Sequence, residues 1–290
     1  MHSVRNKNIK GTLIPIGGNE DKGLTEDDSY ILDYVKEGIL SHVVEESGGP
    51  TANILVLPAA SSIPIEVGEN YMSAFDTLGC KNVTIMQTKD KLETDKPEHL
   101  ELLAKADCVM FSGGDQSKIS SKVMGTKFHE LLLEKYHHQK FVVAGTSAGA
   151  MVMAEEMIAG GSAKEAFVKG AVRMSKGLSL IPELIIDTHF IQRGRFGRIT
   201  EAVAKFPKLV GLGLAEDTGL IIKNDRFEVI GSGMVIVFDG RRLIHNNHAI
   251  LEDGTPLSIT GLRTHILSNG DRFNIKNKKV EVLPIEASFI

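Results

Sequence analysis

Five short apolar runs, separated by longer amphipathic stretches, dominate the first half of the chain. They are residues 12–18 (TLIPIGG), 53–60 (NILVLPAA), 82–88 (NVTIMQT), 107–114 (DCVMFSGG) and 141–147 (FVVAGTS). Each is rich in Val, Ile and Leu with little polar interruption, the pattern of a strand buried on both faces. Between them, residues 26–47, 66–80 and 126–139 carry apolar residues at spacings of three and four, the period of an amphipathic helix. This alternation predicts an α/β fold with a mostly parallel sheet flanked by helices.

From Leu209 the texture changes to several short strands joined by turns such as Asn224-Asp225 and Gly231-Ser232-Gly233. Residues of about 209–290 are therefore expected to form an antiparallel extension of the same sheet. No linker, repeat or low-complexity tract divides the chain, so 1–290 reads as a single hydrolytic domain.

Open α/β sheets bind ligands outside the carboxyl ends of their strands. Four predicted strands end in chemically capable residues: Gly17-Gly18-Asn19-Glu20, Ser112-Gly113-Gly114-Asp115-Gln116, Gly145-Thr146-Ser147 and Asp187-Thr188-His189. Topology gathers these ends along one rim. Ser147 has the Gly-x-Ser-x-Gly spacing of a nucleophile elbow, although a small hydroxyl at such a turn also serves as a plain helix cap. An elbow supplies one oxyanion donor, the N–H of Ala148. Gly113-Gly114 suits a second donor at Gly114, because glycine lets the backbone approach a ligand closely.

His189 follows an apolar run at the predicted rim and is the candidate base. Two carboxylates are candidates for orienting it: Glu165, just past the elbow helix, and Glu216, at the end of a later apolar run. Triads occur in several chain orders, so order does not choose between them. Arg193, Arg195 and Arg198 follow His189 directly. Such a cluster is either a solvated basic turn or a carboxylate-binding surface, since the guanidinium fork grips carboxylates bidentately.

Bulk properties narrow the partners. A formal net charge of −4 gives no support to nucleic acid or an anionic membrane surface, and no apolar run approaches a bilayer span. The first residues lack the apolar core of a secretory signal, which predicts a cytoplasmic protein. Cys80 and Cys108 fit neither a disulfide framework nor a zinc spacing, and His245 with His248 lacks an accompanying acid. No metal and no cofactor are expected.

In order and spacing, GTLIPIGGNED (11–21), FSGGDQ (111–116), GTSAGA (145–150), DTHFIQRGRFGR (187–198) and GLAEDTGL (213–220) resemble the serine peptidase family that contains cyanophycinase and aspartyl dipeptidase. The resemblance implies a class I glutamine amidotransferase-like (flavodoxin-like) fold and a homodimer, with serine replacing the cysteine nucleophile. It implies an exopeptidase that hydrolyses cyanophycin, multi-L-arginyl-poly-L-aspartate, to β-Asp-Arg dipeptides through an acyl-enzyme on Ser147. Carried over by position, His189 is the base and Glu165 the charge-relay acid, with Glu216 the alternative. Gln116, Asp187, Arg193, Arg195 and Arg198 fall on substrate-pocket positions. Thr188 stands where the family commonly has glutamine, which implies a lost or rearranged pocket hydrogen bond. The rival readings are an aspartyl dipeptidase acting on short Asp-X peptides, an α/β-hydrolase esterase, and a non-catalytic binding protein of the same fold.

Overall fold

The computed structural model describes residues 9–24, 30–161 and 167–284. Each apolar run of the first half forms a strand: β1 (Thr12–Ile16), β2 (Ile54–Leu57), β3 (Val83–Ile85), β4 (Cys108–Phe111) and β5 (Val142–Thr146). They pair in parallel in the order β3-β2-β4-β5-β1. All but β3 are buried at every residue, so both faces of the sheet must be covered.

Successive side chains of a strand point to opposite faces, and this divides the core. On one face Ile14, Val56, Met110 and Ala144 pack with Leu40, Val43, Tyr71 and Phe75. Those partners come from α1 (Ile39–Ser47) and α2 (Pro64–Thr77). On the other face Leu13, Leu55, Val109 and Val143 pack with Leu103, Phe128, Leu132 and Tyr136. This face is covered by α4 (Pro97–Lys105), α5 (Gln116–Val123) and α6 (Lys127–His138), with the short α3 (Lys91–Thr94) packed against α5.

Helix limits follow local chemistry. Pro64 opens α2 at a position whose N–H has no intrahelical acceptor. The Thr126 hydroxyl accepts the His129 N–H at 3.1 Å and caps α6. Of the helix expected over 26–47, residues 26–29 lie outside the described residues, and the described part is helical from Ile39. Before it, the Asp33 carboxylate accepts the N–H groups of Val35 and Lys36, and its carbonyl accepts those of Glu37 and Gly38. This Asx-type turn competes with the helix for the same donors.

After β5 come the short α7 (Ala148–Met151), an antiparallel ribbon of β6 (Glu156–Gly161) and β7 (Val172–Lys176), then β8 (Leu184–Asp187) and α8 (Phe196–Lys205). Downstream lie β9 (Val210–Leu214), β10 (Thr218–Lys223), β11 (Arg226–Gly231), β12 (Met234–Asp239), β13 (His245–Asn246), β14 (Ile259–Thr260), β15 (Arg263–Ser268), β16 (Arg272–Asn274) and β17 (Val280–Glu281). These strands do not simply extend the first sheet. β10, β11, β16 and β17 continue it antiparallel from β1, giving nine strands in the order β17-β16-β11-β10-β1-β5-β4-β2-β3. β9, β12 and β15 instead join β8 in a second sheet ordered β15-β12-β9-β8, in which β8 and β9 are parallel.

After β8 the chain therefore crosses between the two sheets three times, at Ala215–Asp217, at Ser232–Gly233 and at Asn269–Asp271. The first two crossings are stitched together: Ser232 donates its N–H to Asp217 O (2.8 Å) and its hydroxyl to Asp217 Oδ2 (2.5 Å). Turn-rich sequence announces that strands end there, but which sheet each strand joins depends on partners far away in the chain. Among the described residues, no helix is long and apolar enough to cross a membrane.

Candidate active site

Ser147 sits between β5 and α7 with φ 50° and ψ −107°, a backbone conformation that a non-glycine residue adopts only under constraint. The flanking glycines explain how so sharp a turn closes. A methyl group on Gly145 would lie 2.5 Å from the carbonyl oxygen of Gly149, and one on Gly149 would lie 2.4 Å from that of Phe111. Strand β5, the turn and the end of β4 thus touch backbone to backbone. Ser147 itself is half-buried, and its side chain caps no helix N–H. The plain capping reading of this hydroxyl finds no counterpart.

His189 follows β8 and also has a positive φ, 48°. Its ring lies against Gly18, where an added methyl would approach the imidazole to 2.4 Å. The ring Nε2 is 3.0 Å from Ser147 Oγ, and Nδ1 is 2.5 Å from Glu216 Oε1. A carboxylate at Nδ1 fixes the proton on that nitrogen and leaves Nε2 free to accept from the serine. Burial lowers the His189 pKa from its ordinary value, and Arg193 and Arg195 lower it further, against the raising effect of Glu216. The imidazole is thereby neutral, as a base must be, near neutral pH.

Glu216 occupies the first sheet crossing, after β9, and its N–H is accepted by Gln192 Oε1 at 3.3 Å. Glu165 lies outside the described residues. Ala148 is the first residue of α7, so its N–H has no carbonyl one turn back. Gly113 lies against Ser147, where an added methyl would be 3.5 Å from the serine Cβ. Gly114 has φ +136° and backs onto the Ala60 carbonyl so closely that no side chain fits. Gly113 and Ala148 thus border the serine, with Gly114 next in the chain.

The basic segment is more tightly organised than a solvated turn. Asp187 is fully buried. Arg198 Nε approaches its Oδ2 at 2.8 Å and Nη2 its Oδ1 at 2.5 Å, a two-pronged grip, and Arg195 Nη1 meets Oδ1 at 3.0 Å. Arg198 is buried because α8 begins at Phe196 and turns that position inward. Arg195 keeps some exposed surface, and Arg193 is exposed. Gln116 opens α5 and donates from Nε2 to Ile158 O in β6 at 2.7 Å. Thr188 is buried, with its hydroxyl 3.4 Å from the Met151 sulfur, so its side chain faces the core and not the rim.

One residue of the rim carried no role in the sequence analysis. Glu20 is 2% exposed and meets Thr146 and Tyr71 beside the elbow. Only its place in the Gly17–Glu20 strand end pointed to it.

A family model described as "Peptidase family S51" matches residues 33–230. A cyanophycinase from Geminocystis herdmanii is 34% identical over 269 residues, covering 92% of this chain and 95% of the relative. One from Trichormus variabilis is also 34% identical, over 272 residues, covering 93% of this chain and 88% of the relative. Among solved structures, a peptidase from an acI-B1 Actinobacterium has a similar fold at a TM-score of 0.64 and 19% identity, covering 93% of this chain and 98% of that one.

Proposed function

The chain belongs to peptidase family S51, and from that premise we propose that it hydrolyses cyanophycin to β-Asp-Arg dipeptides as a serine-type exopeptidase. The observation that carries the reading is the continuous relay from Ser147 Oγ to His189 Nε2 and from His189 Nδ1 to Glu216 Oε1, with the exposed Arg193 beside it.

In the first step His189 Nε2 takes the Ser147 proton while Ser147 Oγ attacks an aspartyl backbone carbonyl of the polymer. Glu216 holds the Nδ1–H and stabilises the imidazolium that forms. The N–H groups of Ala148 and Gly114 receive the oxyanion. The imidazolium then protonates the leaving amine, and water releases the acyl group by the same route. Glu216 replaces Glu165 as the proposed relay acid, because an imidazole Nδ1 already held at 2.5 Å has no room for a second carboxylate.

Each arginyl branch of cyanophycin ends in a free carboxylate. Three guanidiniums against the single carboxylate of Asp187 give residues 187–198 an excess of positive charge. Arg193 and the outer face of Arg195 are the proposed contacts for that carboxylate. Arg198 and the buried Asp187 hold Arg195 in place, and Gln116 braces β6.

The test is to incubate the purified protein with cyanophycin and with short Asp-X dipeptides and identify the products. β-Asp-Arg from the polymer, absent with Ser147→Ala, is the expected result. Cleavage of Asp-X peptides alone would assign the chain to dipeptidase chemistry instead.

A further inference from the structure

Three consecutive carbonyls at the end of β1 hold the backbone of the relay. Ile16 O accepts the N–H of Ser147 at 2.9 Å, Gly17 O that of His189 at 2.8 Å, and Gly18 O that of Asp217, the residue after Glu216, at 2.9 Å. All three donors also have positive φ: 50° at Ser147, 48° at His189 and 45° at Asp217. Such conformations persist only where the surroundings over-determine them. Residues 16–18 therefore act as a template that brings three distant segments to fixed spacing.

A template must itself be held. Asn19 turns the chain with φ 48°, and the next side chain, Glu20, goes into the interior beside the elbow. Glu20 Oε2 accepts the Thr146 hydroxyl at 2.5 Å, while Oε1 accepts the Tyr71 hydroxyl at 2.6 Å and lies 2.9 Å from Lys22 Nζ. Burial pushes this carboxyl up, but Lys22 and the two hydroxyl donors outweigh it and hold the group below the ordinary range. The two oxygens have different duties. Oε1 faces Tyr71 on α2, part of the core, and Oε2 faces the residue that precedes the nucleophile.

We infer that Glu20 is a positioning residue: through Thr146 its carboxylate locks the template to the elbow and so sets the approach of Ser147 Oγ to His189 Nε2. The inference rests on Ser147 being the nucleophile and extends that reading to a group that touches neither substrate nor imidazole. Small displacements of reacting groups cost rate steeply, on the order of a hundredfold per ångström. A lock of this kind therefore acts on kcat and leaves KM alone.

The experiment compares the rate at which a fluorophosphonate modifies Ser147, the kcat and KM for peptide hydrolysis, and the melting temperature across four single variants and one double variant. Thr146→Val is expected to slow labelling and kcat about tenfold or more with KM within about twofold. Thr146→Ser, which keeps the hydroxyl, restores most of the rate. Tyr71→Phe removes the other bond of the same carboxylate; it lowers the melting temperature and leaves labelling within about twofold. Glu20→Leu, which removes the acceptor altogether, behaves like Thr146→Val, and the double variant is no slower than the slower single one, because both cut one link. If Thr146→Val fails to fold, Glu20→Leu carries the same comparison. Wild-type labelling rates in a folded Thr146→Val or Glu20→Leu, additive losses, or an equal loss in Tyr71→Phe would overturn the inference. Absence of labelling in the wild type would instead remove the serine nucleophile itself, a result distinct from unequal rates among variants.

Discussion

At the carboxyl ends of β8 and β9 stand His189 and Glu216. At the amino ends of the same two strands, roughly 13 Å away at about 3.3 Å per residue, lies a cavity of about 730 Å³. Its walls include Glu156, Glu183, Lys205, Lys208, Arg241 and Lys278. The amino end is roomy and densely charged, yet none of its lining residues joins a nucleophile–base–acid relay. At the carboxyl end, a hollow of about 270 Å³ beside Glu216 offers far less space. The contrast teaches that volume and the relay geometry do not coincide here. The end that carries the proposed triad is distinguished by positive backbone φ at Ser147 and His189 and by an imidazole whose pKa burial lowers. The other end is distinguished by cations pressed together. Burial, then the neighbouring Arg241, pulls the Lys278 pKa down to about 8.

The sharpest way to break this comparison is to remove the relay acid. Glu216→Ala is expected to reduce kcat by about 10³–10⁴-fold, the scale of losing a triad carboxylate, while Glu165→Gln stays within about threefold of wild type. Steady-state kinetics on both variants decides, and the reverse ranking would return the role to Glu165. Next in size is the support beneath the basic segment. Asp187→Ala strands Arg198 and Arg195 without their shared carboxylate, and denaturant unfolding should register a loss of about 3–5 kcal/mol. At the opposite end Lys208→Ala should change neither turnover nor stability by more than about 0.5 kcal/mol.

A smaller effect concerns pH. The base works only when neutral, so activity is lost as pH falls through the His189 pKa. Because that pKa lies below the ordinary histidine value, the acid limb of kcat/KM should fall below about 6.5. Arg193→Gln removes one of the influences that lower it, so the limb should move to higher pH. A limb that stays still or moves down would separate Arg193 from the imidazole. The smallest effect is at the cavity. Lys278 in the folded chain loses its proton near pH 8, but in the unfolded chain only near 10.4. The folded state therefore binds fewer protons between those values, and wild-type stability rises with pH across that window. Lys278→Met should raise the melting temperature by about 1–2 °C at pH 7, and the advantage should vanish by about pH 10.

Much of the candidate rim was legible in the sequence because its signals are local. An apolar run ending on Gly145-Thr146-Ser147 encodes a strand, a sharp turn and a hydroxyl at the strand end within a few residues. Asp187-Thr188-His189 does the same for the base. The roles of the flanking charges were not legible. Arg198 looked like part of an exposed cluster until α8 turned it onto Asp187, and Thr188 looked like a pocket residue until β8 buried it. Likewise the C-terminal strands were recognisable as strands, while their division between two sheets was not.

By itself, then, the order of amino acids determined where strands and helices form and which short turns carry a hydroxyl or an imidazole. Periodicity and turn chemistry operate over a few residues and need no distant partner. Tertiary structure alone decided which acid meets His189, 27 positions away in the chain, and which carboxylate ties down the elbow from 126 positions away. Those contacts exist only because the chain passes from one sheet to the other at Ala215–Asp217 and because β1 lies between β5 and β10. Pairing between distant segments leaves no periodic trace in either one.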